Sequence, residues 1–548
     1  MDVFLIREKL LEKIQDKETQ GEHRCIQKDL KYFYNFLLSC RILLNMFWAD
    51  GVASEIINSK KHKPYWVDDM FTPSGFAHVG SVRGPLVHDM LYKALTDAKH
   101  KAKWTYIMND FDPIDGLPPE LTEEFEKYLG VPLRVVPSPQ EGFDSFADYF
   151  AKDFQSVLRN LGVEAEFLSS WDMYREGKFN DVIKIALDNS DKIQDIYQKV
   201  SGSKKREKGW LPLQVICENC GKLGTTRVHD WDGKTVAYTC EQEMVKWAKG
   251  CGHTGRINPY DGKGKLPWKV DWPAHWKVLG ITIEGAGKDH SSAGGSRDIA
   301  RALCDEVFKY PDPFNLPYEF FLIGGKKMSS SKGLGLKARD LTNLLPPDVG
   351  RFLFTKTDYK RAIEFNPFET MAIPVLFDEY QKAADAYFNN DNEDLGRAFK
   401  FSQIGEIKKP PKIRFSALAQ WVQMPNMEEE IKKEGLGEWA KYAKNWIEKY
   451  APENEKFSIQ KNLPEAFKDL SQKQKELLIK ISEELDKNLS AEDFQTRIYD
   501  IGKELGLNGK ETFAAIYLSL IGKDHGPKAA WLILSLDREF IKKRFNEI

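Results

Sequence analysis

Four cysteines, a histidine-bearing turn and a lysine-serine loop are the parts of this chain whose residue types and spacing suit chemistry. Cys217, Cys220, Cys240 and Cys251 follow the pattern C-x₂-C-x₁₉-C-x₁₀-C. Soft thiolates in two knuckles suit a closed, tetrahedral Zn²⁺ site. Gly221, directly after Cys220, permits the tight turn that wraps a metal. In the second half, Cys251-Gly252-His253 offers His253 as an alternative fourth ligand to Cys251. Buried reduced thiols are the plain alternative to a metal. All candidate ligands are protein groups, so the site reads as structural, folding a small module that lacks a core of its own.

The second feature runs Phe71-Thr72-Pro73-Ser74-Gly75-Phe76-Ala77-His78-Val79-Gly80-Ser81. An apolar burst, Tyr65-Trp66-Val67, precedes it, and apolar Val82, Leu86, Met90, Leu91 and Leu95 follow at helical spacing. A strand therefore passes to a helix at His78. A helix start presents free N–H groups and the positive dipole end, which suit phosphate. Gly75 and Gly80 allow close backbone approach, and His78 can donate to a phosphate oxygen as charge develops. A helix-capping histidine is the bland alternative.

The third feature is Gly324-Gly325-Lys326-Lys327-Met328-Ser329-Ser330-Ser331-Lys332-Gly333, after an apolar run at Glu319–Ile323. Lysines and hydroxyls can wrap a polyphosphate through charge-assisted contacts. A solvated basic loop is the alternative. The order of the two features, about 250 residues apart, favours a shared nucleotide. No P-loop or dinucleotide glycine motif competes.

The elements that must position these groups follow from the patterning. Trp104 to Met108 reads as a second strand, so strand, turn, helix and strand make a βαβ unit with a parallel sheet. Residues 117–200 read as mostly helical, with a short strand at Leu133–Val136. Two further strands are expected at Val278–Ile283 and Glu319–Ile323, with a crossover helix near 295–309. Beyond about residue 345 the periodicity is helical, as in Trp439 to Tyr450 and Gln472 to Leu485.

Composition sets the outer bounds. At roughly 150 residues per domain, 548 residues suggest three or four domains. Lys plus Arg total 80 against 82 for Asp plus Glu, a net charge of −2, which excludes a globally basic binder but not a local basic face. Seven cysteines make no disulfide scaffold. Without a signal-like N-terminus or an apolar run of roughly 18 residues, a cytoplasmic location is expected.

With these motifs in hand, the chain resembles the class I aminoacyl-tRNA synthetases. His78-Val79-Gly80-Ser81 is similar to their "HIGH" motif, with serine for the second histidine. Lys327-Met328-Ser329-Ser330-Ser331 is similar to "KMSKS", with serine for the second lysine. Within the class it most resembles the class I lysyl-tRNA synthetases. That closer likeness rests on Met46-Phe47-Trp48-Ala49-Asp50, Thr72-Pro73-Ser74-Gly75, Leu266-Pro267-Trp268-Lys269-Val270-Asp271-Trp272-Pro273, and Gly287-Lys288-Asp289-His290 with Ala293-Gly294-Gly295-Ser296. It departs at Met70, where that family often has glycine, and at Asn109-Asp110-Phe111-Asp112, which keeps only part of an acidic pattern.

The resemblance implies an α/β fold: a Rossmann-like catalytic domain in two halves, 46–125 and 263–365, around a zinc-bearing connective insertion, 126–262. An all-α anticodon-binding region, 366–548, follows. Residues 1–45 precede the family's usual start and read as an extension or as an upstream misassigned start, with Met46 the initiator. The implied activity is that of a lysine–tRNA ligase using ATP and Mg²⁺, with tRNA(Lys) and L-lysine as partners, the monomer being favoured. His78, Gly80, Ser81 and Lys327 would be catalytic and bind ATP together with Met328, Ser329, Ser330 and Ser331. Thr72, Trp268, Asp289, His290 and Tyr318 would bind the amino acid. Trp268 and Tyr318 suit an ammonium by cation–π attraction, although core packing is an equal reading of Trp268. Asp68, Asp110 and Glu284 are the carboxylates expected at strand ends. Asp271 to Pro273 should fix a turn. The basic Lys408–Arg414 tract, with Trp421 nearby, suits RNA contact. A glutamyl- or glutaminyl-type synthetase and a non-catalytic tRNA-binding paralogue are the alternatives.

Overall fold

The computed structural model describes residues 46–204, 209–327 and 335–547. The expectations for residues 1–45 and for Met328, Ser329, Ser330 and Ser331 lie outside the described residues. Helix α1 (Trp48–Ser59) buries Trp48, Val52 and Ile56 and leads to strand β1 (Tyr65–Phe71). A 3₁₀ turn, Val79–Val82, opens helix α2 (Arg83–Asp97), which lays Leu86, Met90, Leu91 and Leu95 on the sheet. Strand β2 (Ala102–Met108) pairs parallel to β1. Helix α3 (Phe146–Asn160), capped by Ser145, then crosses to β3 (Glu166–Ser169), parallel to β2.

The cysteine-bearing segment begins at β4 (Gln214–Val215) and holds an antiparallel sheet of β5 (Thr226–Trp231), β6 (Val236–Cys240) and β7 (Thr254–Ile257). It closes at β8 (Gly264–Lys265), which pairs antiparallel with β4. Helix α4 (Trp268–Leu279) follows, and the chain rejoins the parallel sheet on the far side of β1. Ile283 bridges Val67, and Phe314 bridges Ile283, both in parallel sense. Strand β9 (Ala286–Gly287), helix α5 (Ser296–Leu303) and strand β10 (Pro317–Tyr318) complete the crossover. The chain thus turns from β1 toward β2 on one side and toward Ile283 on the other. The crevice at the strands' carboxyl ends, where the order reverses, is where open α/β sheets take ligands.

Four expectations need correction. Val278 lies in α4, and the strand starts only near Ile283, because an apolar run does not by itself distinguish buried helix from strand. Asp271 to Pro273 form no turn but sit inside α4, where Pro273 merely removes one N–H donor. Leu133–Val135 is a 3₁₀ turn, flanked by Pro132 and Pro137. Of Glu319–Ile323, only β11 (Phe321–Ile323) is strand, in a separate small sheet with β12 (Lys326–Lys327) and, beyond helix α6 (Pro347–Thr355), β13 (Ile363–Glu364).

The rest is helical, from α7 (Ala372–Asn389) to α8 (Arg538–Phe545). Its first part is fastened to the sheet domain by charge. Arg351 is fully buried and donates to Asp89 on α2, to the Leu161 carbonyl at 2.9 Å and to the Phe401 carbonyl at 2.6 Å. Arg397 grips Asp50 through two bonds of 2.7 and 2.8 Å. In the Lys408–Arg414 tract, Lys409 pairs with Asp385 and Arg414 with Asp378. Among the described residues no helix is long and apolar enough to cross a membrane.

Candidate active site and cysteine centre

His78 stands at the β1–α2 junction, on the sheet's ligand-binding edge. Its Nδ1 accepts the Ser81 N–H at 3.2 Å, so in the neutral ring the proton sits on Nε2. Burial, and then the Lys327 charge, hold the ring below the usual histidine range. His78 therefore presents a neutral N–H donor. Gly80 and Ser81 lie in the same 3₁₀ turn.

The backbone joins this turn to the far end of the lysine-serine loop. Val79 N–H donates to the Leu336 carbonyl at 2.8 Å, and Ala338 N–H to the Ala77 carbonyl at 2.8 Å. At the loop's other end the Lys327 ammonium pairs with Asp289 and lies 4.5 Å from the Phe320 ring centroid. Both members of that ion pair are half exposed, so it holds Lys327 only weakly.

Beside this edge the aromatic residues gather. Trp268 stacks on Trp272 with centroids 5.4 Å apart, and His290 packs against both. Trp272 Nε1 donates to Glu284 at 2.7 Å, and Trp276 Nε1 donates to its other oxygen. Burial, then the charge of Asp69, push Glu284 up to about 7, against the pull of the two indoles.

Of the carboxylates expected at strand ends, three have protein partners. Asp68 is fully buried and takes the Thr105 hydroxyl. Asp110 takes Ser169 at 2.7 Å and the Trp171 N–H at 2.8 Å. Glu284 is held by the two indoles just described. Asp69, which sequence reasoning passed over for its neighbour, also lies against protein groups through both oxygens. Its Oδ1 takes the Met70 N–H at 2.8 Å, while Oδ2 lies 3.4 Å from His88 Nδ1. A Cβ at Gly84 would come within 2.7 Å of Asp69 Oδ2 and 2.6 Å of the Tyr318 hydroxyl. Glycine at the start of α2 is what lets this carboxylate and this phenol converge. The doublet Asp68-Asp69 was the available signal, since adjacent strand residues face opposite sides of a sheet.

Thr72 is turned to structure: its hydroxyl donates to Asp112 at 3.0 Å. Asp289 and His290 flank Lys327 and the tryptophans respectively, and Tyr318 lies at Gly84 rather than in the tryptophan stack.

The four cysteines converge. Their sulfurs all lie within 4.8 Å of one another, with Cys217 and Cys251 at 3.6 Å and Cys220 and Cys240 at 3.7 Å. Tetrahedral zinc with bonds near 2.3 Å requires sulfurs about 3.8 Å apart. Gly221 adopts φ 72° in the first knuckle and Gly252 φ 80° in the second. His253 is outside the set; its ring packs on Tyr238, with centroids 5.9 Å apart.

The His78 turn thus sits at the switch point of a parallel sheet, near enough to Lys327 for that charge to act on the histidine ring. The family described as tRNA synthetases class I (K) matches residues 46–405, and the chain belongs to it. Among its relatives, the lysine–tRNA ligase of Archaeoglobus fulgidus is 34% identical over 516 residues, covering 91% of this chain and 99% of that protein. The lysine–tRNA ligase of Methanocaldococcus jannaschii is 33% identical over 542 residues, covering 91% and 99%. Among solved structures, a glutamate tRNA ligase from Elizabethkingia meningosepticum has a TM-score of 0.43 at 13% identity, covering 88% of this chain and 99% of that one.

Proposed function

We propose that this protein is a lysine–tRNA ligase, which activates L-lysine with ATP and transfers it to tRNA(Lys). The observation that carries the choice of amino acid is Asp69, set with Tyr318 beside Glu284 and the tryptophan-histidine cluster. Buried carboxyl groups beside aromatic rings suit an ammonium better than the carboxylate of a glutamate side chain. Trp268 and His290 wall the aliphatic stem.

In the first step the lysine carboxylate attacks the α-phosphorus in line and pyrophosphate leaves. Positioning and charge neutralisation carry such a reaction. His78 Nε2–H and the N–H groups opening α2 donate to phosphate oxygens; Gly80 lies under the nucleotide and Ser81 beside it. Lys327 leaves Asp289 for the departing pyrophosphate, and the family resemblance assigns Met328 and Ser329 to Ser331 to the same ATP. Mg²⁺, when bound, neutralises the phosphates. In the second step the 2′-hydroxyl of the terminal adenosine attacks the lysyl carbonyl of the adenylate, forming the ester as the mixed anhydride breaks and AMP leaves. Residues 126–262 would meet the acceptor end and residues 366–548 the anticodon end. Loss of charging, with nucleotide binding retained, is the expected result of deleting 366–548.

Cys217, Cys220, Cys240 and Cys251 would hold one Zn²⁺. With four thiolates and no open position, the metal supplies folding energy to the module rather than chemistry. Metal analysis of the purified protein should find one zinc per chain, and cobalt exchange should give tetrahedral thiolate absorption. Serine at Cys220 should abolish both, whereas His253→Ala should change neither.

The test of the reaction is ATP–pyrophosphate exchange with tRNA(Lys) present. Exchange that depends on lysine supports the reading; exchange with glutamate and none with lysine overturns it.

A further inference from the structure

Lys265 is buried and charged, and none of the roles above uses it. Its side chain is 3% exposed, with Nζ 2.6 Å from Asp271 Oδ2 and 2.9 Å from Asp112 Oδ1. The remaining carboxylate oxygens are occupied too. Asp271 Oδ1 takes the Tyr174 hydroxyl at 2.5 Å. Asp112 Oδ2 takes the Thr72 hydroxyl at 3.0 Å and the Asn109 amide at 2.6 Å. Burial of the Lys265 and Asp271 charges is costly, and apolar groups of equal volume would often be at least as stable. Such a network specifies an arrangement more than it adds stability.

What it arranges is visible in the connectivity. The Lys265 backbone belongs to β8, the last strand of the cysteine module, and faces Gln214 of β4. Asp271 lies in the first turn of α4, the helix that carries Trp268 and Trp272. Asp112 follows β2 and holds Thr72, at the start of the turn that leads to His78. One ammonium therefore links the module root, the aromatic helix and the turn. The His78 turn is fastened separately, by its backbone bonds to Leu336 and Ala338.

We infer that Lys265 is a positioning residue for amino-acid recognition: through Asp112 and Asp271 it sets the Thr72 turn in register with the Trp268 helix. The inference rests on the proposed lysine activation. Misplacement of recognition groups by about 1 Å costs up to about a hundredfold.

The test is exchange kinetics of full-length Lys265→Met, Lys265→Arg, Asp112→Asn and the Lys265→Met/Asp112→Asn double variant. Lys265→Met should raise the KM for lysine about tenfold or more, with the KM for ATP nearly unchanged. Lys265→Arg, which keeps the charge, should recover part of the loss. The double variant should lose no more than the more severe single, because both act through one link. Asp112 is 20% exposed, so Asp112→Asn answers the question if Lys265→Met does not fold. An unchanged lysine KM in the folded variants, or an equal rise for lysine and ATP, overturns the inference. Absence of lysine-dependent exchange in the unsubstituted protein overturns the reaction itself, and this inference with it.

Discussion

Replacing His78 with alanine is expected to lower kcat for lysine-dependent pyrophosphate exchange by about 10²- to 10³-fold, the usual cost of removing one preorganised donor to a developing charge. The donor is preorganised because the Ser81 N–H occupies Nδ1 and leaves the proton on Nε2. Both KM values should move little, since the contact strengthens mainly in the transition state. The sign with pH follows from the same geometry. Burial and Lys327 lower the affinity of His78 for a second proton, so the neutral donor persists from neutral to alkaline pH. Activity that depends on this cap falls only as pH drops below the usual histidine range, where Nδ1 protonates and releases Ser81. Steady-state kinetics between pH 5 and 9 on both proteins check this; a variant with full kcat would remove His78 from the chemistry.

The second large effect is expected at Asp69. Asp69→Asn keeps the shape and a side-chain acceptor for the Met70 N–H, but it removes the charge facing Gly84 and Tyr318. Losing the carboxylate partner of a desolvated ammonium costs about 2–5 kcal/mol, a loss of about 30-fold or more in kcat/KM for lysine at about 1.4 kcal/mol per decade. The KM for ATP should change little. Asp68→Asn is the informative companion: Asp68 is fully buried with Oδ1 on the Thr105 hydroxyl, so its substitution should affect folding more than lysine affinity. If the two substitutions have equal effects on lysine kinetics, Asp69 is not the ammonium's partner.

The features read directly from the sequence are those whose geometry is local. The cysteine spacing brings four sulfurs together because each knuckle is a short turn with a glycine at positive φ. The His78 turn lies where an apolar burst meets a helical repeat. Contacts across long separations leave no such trace. Lys265 meets Asp112, and Gly84 admits Tyr318, only because the sheet closes around β1. Asp68 and Asp69 are chemically alike in the sequence, and the face of β1 that each side chain takes separates them, Asp68 meeting Thr105 and Asp69 lying toward Gly84 and His88. The misplaced strand at Val278 has a similar origin: Trp272, Trp276 and Val278 are apolar whether the backbone is helix or strand, and packing decides. The cations of the Lys408–Arg414 tract likewise read as free in sequence, whereas Lys409 and Arg414 have acidic partners in the fold.

The paired strands β4 and β8 bring the chain into and out of the cysteine module side by side. A unit whose two ends are neighbours can be acquired or discarded by an ancestral gene without redrawing the parallel sheet behind it. Lys265, on β8, is where such a unit is tied by charge to groups outside it, Asp112 and Asp271.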